Sequence, residues 1–189
     1  KFIGEIWKRK GYTVEIDKIV RGHCTEHEID VIAWNENKLI MIEAKFHNQL
    51  GIKSDLKVAL YVKARFEDLG QVMFNYGKMR KLDEGWLITN TKFTSSAIEY
   101  AQCQGLRMVG WNYPVKGNLQ DMIEDSGLHP ITCLTTLTFD EKKLLMERGF
   151  VSCNNLNTDN KTLEEVGIKG EHLKQVVEEV KILCQSQTS

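Results

Sequence analysis

The sequence predicts an α/β fold, a mixed β-sheet flanked by helices, followed by a small all-α domain. Three observations predict it. Residues 28–34 and 39–45 are apolar, β-branched runs joined by a short polar turn, the pattern of a hairpin. Further strand-like runs alternate with amphipathic stretches as far as Glu124, the order of a layered α/β domain. After Ser126-Gly127-Leu128-His129-Pro130 no strand pattern recurs. The chain therefore divides into residues 1–128 and 131–189.

Taken in order, Lys1 to Lys10 reads as a helix with Ile3, Ile6 and Trp7 on one stripe and Gly11 as its stop. Glu5 borders that stripe. Tyr12 to Ile16 alternates as a strand, and Arg21 to His27 reads as a polar loop leading into the hairpin. Gly51 to Ser54 breaks the pattern. Asp55 to Leu69 is an amphipathic helix burying Val58, Ala59, Val62, Phe66 and Leu69. Gln71 to Lys81 reads as more helix or loop. Trp86 to Thr89 is a short strand, and Thr94 or Ser95 caps a helix that runs to Gln104 and stops at Gly105. Leu106 to Val109 is another strand, and Asn118 caps a short helix through Glu124. Beyond the boundary, helices are expected over Phe139–Arg148, Leu163–Val166 and Glu171–Leu183.

The hairpin carries the chemistry. Folded between Glu36 and Asn37, it sets Trp34 against Leu39 and Asp30 against Glu43, with Cβ atoms of directly opposed residues about 5 Å apart. Lys45 lies two positions along the same face. Opposed like charges destabilise a bare sheet, whereas a hard divalent cation takes such oxygens together with a substrate phosphate. The residues therefore point to a phosphodiester-cleaving site. From Lys45 to Lys81 eight basic residues stand against three acidic ones, a local surplus suited to a polyanion such as nucleic acid. The whole chain has a net charge of −1, so there is no global basic signature. No run of 18 apolar residues occurs, which argues against a membrane helix. Five scattered cysteines with no CxxC suit reduced thiols in a cytoplasmic protein. No signal peptide is visible, and the chain opens on Lys1 rather than Met, which leaves room for an upstream segment.

Asp30 on one strand, with Glu43-Ala44-Lys45 on the next, resembles the PD-(D/E)xK nuclease superfamily and, within it, the Mrr-like restriction endonucleases. Residues 85–94 and Ala97 look like the later strand and helix of that family, and Gly105 to Trp111 like its last strand. The resemblance implies a restriction-endonuclease-like sheet and a metal-dependent DNA endonuclease of restriction or repair type. Asp30 and Glu43 would bind Mg²⁺ or Mn²⁺, the Ala44 carbonyl would complete the shell, and Lys45 would activate water. Glu5 would be a further acidic residue on the first helix. The commonest Mrr pattern has Gln where this chain has Glu43, and Glu supplies an anionic ligand. Relatives of this kind can carry an upstream ATP-cone domain. A two-strand cut would need two such sites, which a homodimer would supply.

His47, Lys53 and Lys57 are expected to contact DNA. His23, Cys24 and His27 offer a weaker zinc reading, with no fourth ligand at the usual spacing. In the C-terminal part, residues 163–177 resemble a helix-hairpin-helix whose turn is Gly167-Ile168-Lys169-Gly170. Amides at the following helix N-terminus can hold a phosphate, and Lys169 and Gly170 are the expected contacts. From Ile131 onward, however, seven basic residues face nine acidic ones, so packing or protein contact is an equal reading of this part. The rival to an enzyme is a non-cleaving nucleic-acid-binding or regulatory protein on the same fold.

Overall fold

A computed structural model describes residues 1–47, 51–156 and 160–185. The chain forms two compact units, Ile3–Met122 and the residues from Ile123 on.

The first unit is built on a five-stranded sheet in the order β1-β2-β3-β7-β9. Its strands are β1 (Thr13–Arg21), β2 (Glu26–Trp34), β3 (Leu39–Ala44), β7 (Glu84–Ile88) and β9 (Arg107–Val109). The first three are antiparallel neighbours, while β3, β7 and β9 run parallel. The predicted hairpin is present in the predicted register, with Val31 against Ile42 and Trp34 against Leu39. Its turn is drawn tight by Asn35 Oδ1, which accepts from the Asn37 and Lys38 amides at 2.9 Å each.

Helix α1 (Phe2–Arg9) places Trp7 edge-on to Trp86, ring centroids 5.3 Å apart. Trp86 stands level with Ile42 in the parallel ladder, so α1 covers the Ile42 face of the sheet. Helices α2 (Leu56–Leu69) and α3 (Ser95–Gln104) cover the opposite face. There Ala59, Val62, Phe66, Leu69, Ala97 and Ala101 pack on Ile32, Leu39, Met41 and Leu87. Each large apolar side chain buried this way contributes roughly 1.5–3 kcal/mol. The two helices start on side-chain caps. Asp55 accepts from the Val58 amide and Thr94 from the Ala97 amide. Gly85 lets α2 lie close to the sheet, since a Cβ there would meet the Phe66 ring at 2.3 Å.

Several elements depart from the sequence expectation. β1 runs on from Thr13 to Arg21, passing through Asp17 at φ +52°. The break in alternation there hides the strand's second half. Gln71 to Lys81 is not helical: it holds a small hairpin, β5 (Phe74–Tyr76) and β6 (Lys78–Arg80). Gly77 turns it at φ +72°, and Tyr76 packs on Trp34 at 4.9 Å. Lys53–Ser54 (β4) and Lys92–Phe93 (β8) form a short parallel pair. α4 (Leu119–Ser126) follows β9, and the division between units falls within it.

The second unit contains a 3-10 turn, Ile131–Cys133, and α5 (Phe139–Glu147), which opens on a Thr138–Glu141 capping box. The remaining helices are α6 (Cys153–Leu156), α7 (Asn160–Glu165) and α8 (Gly170–Gln185). Ile131, Leu134, Leu145, Leu163, Ile168, Val176 and Val180 form its core. No strand was expected here, and none longer than an isolated bridge between Pro130 and Ser152 occurs among the described residues.

Candidate active site

The β2–β3 ladder ends at the Val31–Ile42 pair, and Asp30 and Glu43 are the next residue on each strand. Asp30 Oδ2 accepts the Ala44 amide at 2.7 Å, so one oxygen is tied to the neighbouring strand. Burial and the charge of Asp30 push the Glu43 carboxyl above the usual carboxylate range, and the positive charges of Arg65 and Lys45 pull the other way. The two carboxylates therefore feel one another as the hairpin register requires.

Arg65 is the partner that sequence reasoning missed. Its Nη1 donates to the Glu43 carboxylate and to the Glu28 carbonyl, the latter at 3.0 Å. Its Nη2 donates to the Tyr61 hydroxyl, and the guanidinium lies 4.7 Å from the Tyr61 ring centre. Arg65 Nε is buried with no hydrogen-bond partner among the described residues. One signal pointed to it: Arg65 sits three residues after Val62 and four before Leu69, on the stripe that faces the sheet. A charge on that stripe needs a partner from the sheet.

Lys45 is exposed. Its amide continues the parallel ladder by donating to the Ile88 carbonyl at 2.7 Å. Two residues on, Asn90 clamps the chain: the His47 amide donates to Asn90 Oδ1 at 2.8 Å, and Asn90 Nδ2 donates to the His47 carbonyl at 2.9 Å. β3 ends at Ala44, so strand alternation no longer carries His47 onto the Lys45 face. His47 is half-buried, and its Nε2 is buried with no partner among the described residues.

Glu5 is paired within its own helix. It lies on α1, against the other face of the sheet, and accepts from Lys8 at 2.8 Å. Among the described residues no three His, Cys, Asp or Glu side chains gather as a cation cage. Two carboxylates still suit magnesium, which is commonly held by one or two carboxylates with water and substrate phosphate supplying the rest. The zinc reading of His23, Cys24 and His27 is not supported either. Asp68 of α2 takes His27 Nε2 at 2.7 Å and the Cys24 amide at 2.7 Å. It also pushes the Cys24 thiol up. That loop is a clamp between the β1–β2 turn and α2.

The basic segment is partly spent on structure. Lys63 donates to the Gln104 carbonyl, Arg65 serves Glu43, and Arg80 is buried against the Asn35 and Glu36 carbonyls. Lys53 and Lys57 are exposed. In the second unit Lys169 and Gly170 are exposed in the turn between α7 and α8, with Gly167 at φ +95° and Gly170 at φ +60°. No helix among the described residues is long and apolar enough to cross a membrane.

A mixed sheet flanked by helices, with an acidic pair and a lysine at the hairpin, defines a nuclease fold of the restriction-endonuclease type. Residues 1–112 match the restriction endonuclease family model for the Mrr catalytic domain. The chain belongs to this Mrr-like branch of the PD-(D/E)xK nucleases. Residues 129–184 match the AF1548-like C-terminal family. An uncharacterized protein of Archaeoglobus fulgidus is 34% identical over 182 residues, covering 95% of this chain and 98% of the relative. The crystal structure of a protein of unknown function, AF1548, is 32% identical, covers 98% of each chain and superposes with a TM-score of 0.76. A second solved structure, VC1899 from Vibrio cholerae, is 17% identical, with a TM-score of 0.39, over 58% of this chain and 27% of its own. That likeness is too slight to argue from.

Proposed function

We propose that this chain is a divalent-metal-dependent DNA endonuclease that hydrolyses phosphodiester bonds. The observation that supports it is that Asp30 and Glu43 come together where the β2–β3 ladder ends, close enough for the Asp30 charge to raise the Glu43 carboxyl, with Lys45 exposed two residues along. A fold gains nothing from facing carboxylates, and the family membership supports a hydrolytic use for them. Asp30 and Glu43 would hold Mg²⁺ or Mn²⁺, with the Ala44 carbonyl as a further oxygen. The ion, when bound, supplies charge that acidifies water and screens the phosphate.

The chain's own groups do the rest. Asp30, fixed by the Ala44 amide, presents its other oxygen without having to reorganise. Lys45 has its backbone pinned to β7 through Ile88 while its amine is exposed, placed to orient water and to offset charge developing on the phosphate. Exposed Lys53 and Lys57 would track the nucleic-acid backbone, and Lys169 and Gly170 could add a phosphate contact from the second unit. A homodimer would supply the two sites that a double-strand cut needs. An upstream ATP-cone domain would make this the effector part of a longer regulated chain.

The test is incubation of the protein with supercoiled plasmid and Mg²⁺ or Mn²⁺, with and without chelator, beside Asp30→Asn, Glu43→Gln and Lys45→Ala. Chelator-sensitive nicking or cutting lost in all three variants is the expected result. Plasmid binding with no cleavage under any metal would favour the non-cleaving reading instead.

A further inference from the structure

Arg65 sits where two demands meet. Its Nη1 donates to the Glu43 carboxylate that the proposed ion would need, and the Arg65 and Glu43 side chains are only 11% and 19% exposed. Such a pair is little screened by solvent, and a cation arriving at Glu43 meets a positive charge already bonded to it. The guanidinium also contacts an exposed residue. It lies along the Tyr61 ring, its Nη2 is anchored to the Tyr61 hydroxyl, and Tyr61 is 59% exposed. Its Nε is buried without an acceptor among the described residues, so the fork is not fully satisfied where it lies. A phosphate oxygen at the mouth of the site offers what that fork fits best.

We propose that Arg65 couples ion binding to nucleic-acid binding: guanidinium and divalent ion compete for Glu43, and a substrate phosphate ends the competition by taking the guanidinium. This rests on the metal-dependent reading above. Nucleic acid then raises the affinity for the ion, and by linkage the ion raises the affinity for nucleic acid by the same factor. The device would keep the ion weakly held until a phosphate is present.

The experiment is Mn²⁺ titration of the full chain by electron paramagnetic resonance, alone and with a DNA duplex carrying cleavage-resistant phosphorothioate linkages. Wild type, Arg65→Met and Tyr61→Phe are compared. Wild type should bind Mn²⁺ at least about tenfold more tightly with the duplex. Arg65→Met should bind Mn²⁺ alone severalfold more tightly than wild type. Its gain from the duplex should shrink by the same factor, because the cycle must close. Tyr61→Phe changes one exposed hydroxyl, so it keeps the test open if Arg65→Met does not fold; it should shift Mn²⁺ affinity the same way by about two- to threefold. Weaker or unchanged Mn²⁺ binding in both variants, or undiminished coupling in Arg65→Met, overturns the proposal. A different result, wild type and Asp30→Asn binding Mn²⁺ equally, would instead sink the metal site itself.

Discussion

The Ala44 amide donates to Asp30 Oδ2 across 2.7 Å, tying the acidic residue of β2 to the end of β3. That bond needs an acceptor and not a charge. Asp30→Asn keeps a carbonyl oxygen there, so the fold should survive with its melting temperature within a few degrees. Cleavage should fall at least about 100-fold, because under the proposed function the lost anion would be a ligand of the ion. Plasmid nicking and circular dichroism measured on the same preparation check the two halves. A cleavage-competent Asp30→Asn would remove Asp30 from the chemistry.

Glu43 gives a pH-dependent prediction. Burial first, then Asp30, holds its carboxyl above the usual range. The native state therefore keeps this proton to higher pH than the unfolded chain does. Between the two values the folded state binds more protons, so stability falls as pH rises through that window. Glu43→Gln removes the charge and keeps an acceptor for Arg65. Its melting temperature should exceed wild type at pH 7, with the gap closing by pH 4. Scanning calorimetry at both values decides it; a variant less stable at pH 7 than at pH 4, relative to wild type, would contradict the cause assigned.

Asn90 holds His47 by two reciprocal backbone bonds and so fixes the path of the chain just after Lys45. Asn90→Ala leaves a part-buried amide and carbonyl unpaired, at a cost of about 1–3 kcal/mol. It should also lower kcat more than it raises KM, since it loosens a positioned cation rather than a binding surface. Asn90→Asp keeps the acceptor and loses the donor, and should fall between the two. Steady-state kinetics on an oligonucleotide, alongside melting, separate positioning from simple destabilisation.

Asp68 carries the β1–β2 turn. The His27 hydrogen bond holds its carboxyl well below the ordinary range, with the Cys24 and Thr25 amides adding to it against the cost of burial. Its contribution is present above the unfolded-state value and is lost as pH falls toward the native one. Asp68→Asn should therefore lower the melting temperature at pH 7, and the deficit should narrow on acidification. A melting series from pH 7 to pH 3 tests the sign.

What the sequence disclosed, and what it did not, follows from the range of each interaction. The β2–β3 register was legible because alternation and a four-residue polar turn fix it locally. That register brings Asp30 and Glu43 to the next position on each strand where the ladder ends. The α2 stripe was legible from its 3.6-residue period. Arg65 as the partner of Glu43 was not, because the two lie 22 residues apart on different elements. No local pattern encodes which helix comes to lie over the hairpin. The β5–β6 hairpin escaped for a related reason: three-residue strands have no period to detect, and packing of Tyr76 on Trp34 supports them.

The second unit contains its own test. Glu179 of α8 accepts from both the amide and the hydroxyl of Thr135, each at 2.7 Å, and from the amide and hydroxyl of Thr136. Burial pushes its carboxyl up, but these four donors outweigh that and hold it at about 2. The stabilisation is therefore present above the ordinary carboxylate range and lost as pH falls toward that value. Glu179→Ala orphans two backbone amides, a cost of about 1–3 kcal/mol. Glu179→Gln keeps the shape but turns one acceptor oxygen into a donor, so it should recover part of the loss and none of the pH dependence. Hydrogen exchange at the Thr135 and Thr136 amides is the readout, because it reports this bond directly. Faster exchange at those two positions in Glu179→Ala, with the β2–β3 amides unchanged, is the expected result. Equal protection in the variant would mean that the segment is held by the core around Ile131 and Leu134 rather than by Glu179.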